Sequence, residues 1–379
     1  MKHYDAIVLG TGGVGSAALY QLASRGHAVL GLDRFEAAHD RGSSHGQTRV
    51  IRKAYYEHPD YVPLLQRAYQ LWEALEQVSG ASLYVPTGLL SIGPSEGAIL
   101  RGTRASASEH NLPLEQLSAE QVAQRWPGYL VPEGYGALFE AEAGFLMVEE
   151  AVRVHLEQAQ QAGATFLSDQ AVVDWSVDGA NVLVRTETGE FSAARLVITA
   201  GSWSADLLGR LGFELRILRK ALHWYRVAAD QYQCSQGAPT FFYDTPDGYF
   251  YGFPAIDARG LKVAWHTGGE VVTDPLEVDR SLDVTEQAQV AAFLREFMPA
   301  VSSEATDHAV CLYSMSADEH FIVDRHPEHG QVVFAAGLSG HGFKFTSVLG
   351  SILADLAIAG ETSLPIEFLR HDRPALGAG

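Results

Sequence analysis

The feature that most constrains this chain is its opening. The short apolar run Tyr4-Asp5-Ala6-Ile7-Val8-Leu9 passes straight into Gly10-Thr11-Gly12-Gly13-Val14-Gly15. A brief β-branched run ended by glycines reads as a buried parallel strand. Ser16–Arg25 then has helical spacing and stops at Gly26, and Ala28–Leu32 is a second short strand closing on Asp33. Strand, glycine turn, helix and strand make the start of a βαβ unit. The hexapeptide fits G-x-G-x-x-G. Gly10 permits the tight turn, Gly12 lets a pyrophosphate approach the backbone, and Gly15 lets the helix pack on the sheet. With Gly13 and Val14 in the first turn, the helix N–H groups and dipole face a phosphate. Asp33 is placed to accept from ribose hydroxyls. The motif alone suits NAD and FAD equally.

A βαβ unit accounts for little of 379 residues, which imply two or three domains. Residues 37–48 read as a long polar loop, Tyr61–Glu76 as a helix, Leu83–Gly97 as strands and turns, Phe145–Gly163 as a long helix and Val182–Thr199 as two strands. Residues 216–275, rich in aromatics, Val and turn glycines, suggest a mostly antiparallel sheet. Val284–Phe297 is a helix stopped by Pro299, and the strand Val332–Ala336 leads through glycines to a helix from about Thr346 to Ala359. The nucleotide-type segments lie at both ends and near the middle. We therefore expect an α/β plus α+β chain: a discontinuous Rossmann-like domain (1–85, 145–215 and 308–379) with a second, mostly antiparallel-sheet domain inserted in two pieces (86–144 and 216–307).

Charge and cysteine content narrow the function. With 27 Lys+Arg against 46 Asp+Glu the net charge is −19, a surface that repels nucleic acid and anionic membranes. A small anionic substrate in a local basic pocket stays possible. Two cysteines, Cys234 and Cys311, exclude a disulfide framework and a Cys-rich metal site. No apolar run approaches the roughly 18–20 residues of a membrane span, and the N-terminus does not read as a signal peptide, so cytoplasm is the expected compartment.

A second glycine-rich helix start, Gly337-Leu338-Ser339-Gly340-His341-Gly342-Phe343-Lys344, follows an apolar strand and again suits a negatively charged group, with Lys344 adding a full charge. Arg49 and Arg52 in QTRVIRK share a face if that segment is helical. They suit carboxylate binding or a solvated basic face equally. Lys262 in GLKVAWHT is either an edge-strand charge or a lysine aimed into an active site. His266 reads as structural, and Cys311, flanked by apolar residues, as a buried free thiol. His320, His326 and His329 cluster without metal-ligand spacing, and we expect no metal.

Taken together, these segments resemble the monomeric sarcosine oxidase and N-methyltryptophan oxidase family of flavoproteins. The likeness runs over nearly the whole chain. It rests on GTGGVG (10–15), GSSHGQTRVIRKAY (42–55), LWEALE (71–76), RWPG (125–128), TAGSW (199–203), YFYGFP (249–254), GLK (260–262), CLY (311–313), DEHFIVD (318–324) and GLSGHGFKF (337–345). The resemblance implies a Rossmann-like FAD-binding domain carrying FAD through an 8α-S-cysteinyl thioether, and Cys311 matches that cysteine. It implies that Lys262 activates oxygen, that His45 and Arg49 lie beside the flavin ring, and that His266 acts at the catalytic centre. Arg52 and Lys344 match a substrate-carboxylate clamp, and Tyr251, Tyr313 and Phe242 the substrate pocket. Ser43, Thr48, Gly201, Gly340, Gly342 and Phe343 join the N-terminal loop in holding the cofactor. The implied reaction oxidises an N-methyl secondary or tertiary amino acid to an imine, which hydrolyses to the demethylated amino acid and formaldehyde while O2 becomes H2O2. The implied enzyme is a monomer. GSSHGQ at 42–47 lacks the family's common second histidine and aspartate, Phe242 replaces a methionine and Trp265 a tyrosine, while ALHWY at 221–225 and GLSGHGFKF lean toward the N-methyltryptophan branch. These departures leave the substrate open, with proline or pipecolate as alternatives. Other classes would be an NAD-dependent dehydrogenase or a non-catalytic nucleotide-binding module.

Overall fold

The computed structural model describes residues 2–376. An eight-stranded sheet is built around His3–Leu9, which pairs in parallel with Val29–Leu32 on one side and Glu190–Ile198 on the other. Thr165–Leu167 extends the first side in parallel. On the other side Glu190–Ile198 also takes Val332–Ala336 in parallel, together with the antiparallel hairpin Val172–Asp178 and Asn181–Thr186. The run read as buried parallel strand is buried from Ala6 to Leu9, because helices cover its face.

The helix Gly13–Ser24 lies between Val148–Gln161 and Thr346–Ile358. It crosses the last at Gly350, where a β carbon would come within 2.6 Å of the Ala17 backbone, so only glycine permits this approach.

The second sheet has nine strands in the order Glu270–Val272, Arg216–Val227, Leu261–Trp265, Gly248–Phe253, Thr240–Thr245, Leu89–Pro94, Tyr135–Glu140 and Glu115–Leu117, with Val301–Met315 also on Arg216–Val227. It is antiparallel apart from the Thr240–Thr245 to Leu89–Pro94 pair, as the aromatic-rich stretch leads one to expect. Val301–Met315 runs unbroken through residue 308 and pairs as far as Met315. One face packs on the helix Val284–Phe297, with Phe250 stacked on Phe293 at 4.4 Å, a ring pair worth about 0.5–1.5 kcal/mol beyond its area. Asp283 caps that helix by accepting from the N–H groups of Thr285 and Glu286. The other face presents Leu222, Trp224, Phe242, Tyr251, Ala264 and Cys311, in one cluster with Phe145 and Val50.

Two expectations are corrected. Residues from Phe145 do not open a helix: Gly144–Met147 is a strand, and the helix is Val148–Gln161. The strand pairs with Thr48–Ile51 and Tyr84–Val85 in a third small sheet. Arg49 therefore lies on a strand, with Arg52 just beyond its end, and the two do not share a helix face. The long loop 37–48 holds as far as Gln47.

Candidate active site

A cavity of about 420 Å³ runs between the two large sheets, from Asp33 and Trp203 at one end to Arg52, Phe242 and Lys344 at the other. Its first end is made by the glycine loop. Gly10 has φ 80°, and a β carbon there would stand 2.7 Å from the Thr199 carbonyl oxygen. A β carbon on Gly15 would reach the Thr199 hydroxyl at 2.6 Å, so this residue sets helix-to-strand packing from behind the wall. A β carbon on Gly12 would meet only the Ser44 hydroxyl, at 3.6 Å, leaving backbone open to the cavity. Asp33 is buried, and its Oδ2 accepts from the Thr11 N–H (2.6 Å) and hydroxyl (3.0 Å). Gly201, Gly340, Gly342, Phe343, Val14 and Gly13 also line the cavity.

The middle is formed where Cys311 meets the loop 42–49. Arg49 Nη2 lies 3.0 Å from the Cys311 sulfur and donates to the Ser43 carbonyl at 3.0 Å, while the Ser43 hydroxyl donates to the Leu312 carbonyl. Burial opposes the Arg49 charge, but Cys311 and the Tyr251 and Tyr313 hydroxyls favour it, so the guanidinium is held above its usual range. Lys262 stands behind this loop and not on the cavity wall. It is 1% exposed on an interior strand, and Nζ donates to the carbonyls of Gly46 (2.5 Å) and Thr48 (2.9 Å) and to the Thr48 hydroxyl (3.2 Å). The edge-strand explanation is thereby set aside. Burial and then Arg49 push the Lys262 amine well below its ordinary value. His45 is also behind the wall. Its Nε2 has no partner, and burial, then Arg49, lower the ring to about 4. Thr48 likewise stands in this second layer.

The far end is aromatic and cationic. Tyr251 Oη lies 3.4 Å from Tyr313 Oη, which lies 3.2 Å from His266 Nδ1. Burial and the nearby Lys220 and Lys344 lower His266 to about 3, so the ring is neutral. Arg52 is buried, and its Nη2 contacts both Glu57 oxygens at 2.7 Å. Lys344 donates to the His341 carbonyl at 2.7 Å and to Tyr55 Oη at 3.4 Å; burial and then Arg52 lower it to about 7. Arg52 and Lys344 thus stand near one carboxylate, Glu57, at this end, with Arg49 toward the middle of the cavity, a local positive excess within an acidic protein.

The profile of the DAO family, "FAD dependent oxidoreductase", matches residues 5–356. The monomeric sarcosine oxidase of Bacillus sp. (strain B-0618) is 39% identical over 379 residues, covering 99% of this chain and 97% of the relative. The chain belongs to the monomeric sarcosine oxidase and N-methyltryptophan oxidase family of FAD-dependent oxidoreductases. The N-methyl-L-tryptophan oxidase of Escherichia coli O139:H28 is 38% identical over 357 residues, covering 93% of this chain and 95% of the relative. Among solved structures, NikD, described as an unusual amino acid oxidase essential for nikkomycin biosynthesis, superposes with a TM-score of 0.86 at 26% identity, with 98% of each chain covered. A nicotinamide-dependent dehydrogenase and a non-catalytic module are set aside by this membership.

The residues of this chain fit an FAD. Glycine backbone open at Gly12, a helix start behind it and the Asp33 carboxylate suit the dinucleotide end, while Cys311 and Arg49 mark the other. The histidines considered for a metal do not form one group: His326 and His329 stack at 4.8 Å, whereas His320 lies against Tyr61. Sequence reasoning did not single out Glu57, Tyr55, His341 or Lys220. Only their place within or beside the matched motifs signals them.

Proposed function

We propose that the protein oxidises N-methyl secondary or tertiary amino acids, such as sarcosine or N-methyltryptophan, with O2 as the electron acceptor. The products are the demethylated amino acid, formaldehyde and H2O2. The observation that carries this reading is the far end of the cavity, where two cations, Arg52 and Lys344, stand near one carboxylate, Glu57, beside an aromatic wall. Bound FAD would accept a hydride equivalent from the carbon next to nitrogen. Arg52 and Lys344 hold the substrate carboxylate, Arg by its planar fork and Lys as a point charge. Tyr251, Tyr313 and neutral His266 wall the amine; a neutral imidazole does not repel the amine or compete for its charge. Phe242 lies by the substrate side chain and borders it with Tyr56, 6.1 Å between centroids. Lys262, with Arg49, supplies positive charge where oxygen is reduced, and His45 packs behind them. Glu57 must yield Arg52, at least in part, to the incoming carboxylate.

The reading extends to a thioether between Cys311 and the flavin, to a single-chain enzyme and to a cytoplasmic location. It also takes Ser43, Gly201, Gly340, Gly342 and Phe343 as cofactor contacts, with Thr48 supporting them from the second layer. No helix among the described residues is long and apolar enough to cross a membrane.

Peroxide release is the test, screened with sarcosine, N-methyltryptophan, proline and pipecolate. Turnover of an N-methyl amino acid above the cyclic ones supports the reading. Turnover of proline or pipecolate alone moves the protein to cyclic secondary amino acids, and no peroxide from any of them with flavin bound ends it.

A further inference from the structure

Tyr55 and His341 belong to the two motifs that flank the cationic end, yet neither has been given a task. We propose that they are positioning residues for the substrate-carboxylate clamp. They form a hydrogen-bond chain of fixed direction that holds the Lys344 ammonium with one N–H left for substrate. The inference rests on the reading of Arg52 and Lys344 as that clamp.

The direction of the chain follows from its far end. His341 Nε2 lies 3.0 Å from the Glu319 carbonyl oxygen, which can only accept, so Nε2 carries the proton. The ring is neutral, since burial and then Lys344 hold it well below its usual value, so Nδ1 is an acceptor. Tyr55 Oη, 2.6 Å from Nδ1, must therefore donate to it. The hydroxyl's lone pairs then face Lys344, whose ammonium donates at 3.4 Å. A second Lys344 N–H goes to the His341 carbonyl at 2.7 Å. Of three donors, one remains for the cavity that Lys344 lines.

The anchor is stiff. Glu319 is held at φ 63°, and Arg373 pins the preceding turn with two 2.7 Å bonds to Asp318 and one to the Phe321 carbonyl at 2.9 Å. The Tyr55 ring also serves the other half of the clamp. The Arg52 guanidinium carbon lies 4.5 Å from its centroid and Lys344 Nζ lies 5.2 Å from it. One buried side chain thus lets two like charges stand close together: the ring attracts both and the hydroxyl partners one.

The test uses the FAD-loaded enzyme and methoxyacetate, a carboxylate with no amine. Its binding is read from the visible spectrum or, where that is silent, from competition with peroxide release. Tyr55→Phe keeps the ring and removes the hydroxyl. We expect the methoxyacetate Kd and the substrate KM to rise about tenfold, as loss of a charged hydrogen bond of about 1.4 kcal/mol implies, with kcat little changed. His341→Leu should do the same, and His341→Gln, which retains an acceptor for the Tyr55 hydroxyl, should restore most of the affinity. If Tyr55→Phe fails to load cofactor, the His341 pair decides. An unchanged Kd in Tyr55→Phe and His341→Leu, with a raised Kd in Lys344→Met, overturns the positioning chain and leaves the clamp. An unchanged Kd in Lys344→Met overturns the clamp itself.

Discussion

Arg49 Nη2 and the Cys311 sulfur lie 3.0 Å apart, and both reach the carbonyl oxygen of Ser43, at 3.0 and 3.5 Å. The guanidinium thus stands beside the one sulfur among the described residues that lines the cavity, the atom that would bond to carbon. Covalent attachment would replace the thiol S–H and one flavin methyl C–H by a C–S bond, with two electrons and two protons passing to O2 as H2O2. Acid-precipitated enzyme is therefore expected to give a yellow pellet. Cys311→Ala should leave the colour in the supernatant, and Arg49→Met should slow attachment when apoprotein is loaded with FAD. Intact mass of the chain is the check: a wild-type mass without added flavin contradicts the linkage.

On the proposed reading, Lys262 acts on oxygen from the second layer. Its Nζ is held by Gly46 and Thr48, so the amine is fixed in place before any reaction begins. Removing one preorganised electrostatic group costs about 10²–10³ in rate. Lys262→Met is expected to slow reoxidation of the reduced enzyme by O2 by about that factor, with substrate reduction in the absence of oxygen affected far less. Stopped-flow measurement of the two half-reactions separates them. Equal loss in both would mean that the lysine supports the loop and not the oxygen step.

Local spacing made some of this architecture legible. The glycine loop is a pattern of closely spaced residues, and its strand, turn and helix appear where that pattern places them. The helices Val284–Phe297 and Thr346–Ile358 have their periodicity within their own segments. What escaped depends on distant pairing. Gly144–Met147 is a strand because Thr48–Ile51, almost a hundred residues earlier, lies beside it. A four-residue apolar run followed by a true helix reads locally as one longer helix. Lys262 is interior because Arg216–Val227 and Gly248–Phe253 flank its strand. Glu57 could not be weighed as the counter-ion of Arg52 without their contact, since it stands in a polar stretch like many others.

On the proposed reading of Lys344 as part of the carboxylate clamp, carboxylate binding depends on pH. Arg52, Arg49, Glu57, Tyr55, His341 and His266 surround it, and burial with the nearby guanidinium lowers it to about 7. A bound carboxylate favours the charged amine, so affinity is full below that value and falls as pH rises through it. The Kd of methoxyacetate should increase above pH about 7, by up to about tenfold per unit. Arg52 stays charged across the range, so it adds no slope. Lys344→Met should give a weaker and flat profile between pH about 6 and 9, and a wild-type Kd independent of pH would contradict a Lys344 that titrates near neutrality.

Lys220 carries a different pH signature, read in stability. It is 1% exposed and donates to the carbonyls of Thr267 (2.9 Å) and Gly268 (3.2 Å), just after His266, with Nζ 5.6 Å from the Tyr313 ring centroid. Burial lowers it from 10.5 to about 8, against the opposing pull of Glu286. The unfolded chain therefore binds more protons here between about 8 and 10.5, and stability from this group rises with pH through that window. Lys220→Met loses the two hydrogen bonds at every pH but has no such titration. The melting temperature of wild type minus that of Lys220→Met should grow from pH about 7 to pH about 10, other groups cancelling in the difference. A flat difference would mean that the buried amine keeps its ordinary proton affinity. With His266 at the end of the held segment, the variant should also raise KM more than it lowers kcat; the reverse pattern would place Lys220 in the chemistry itself.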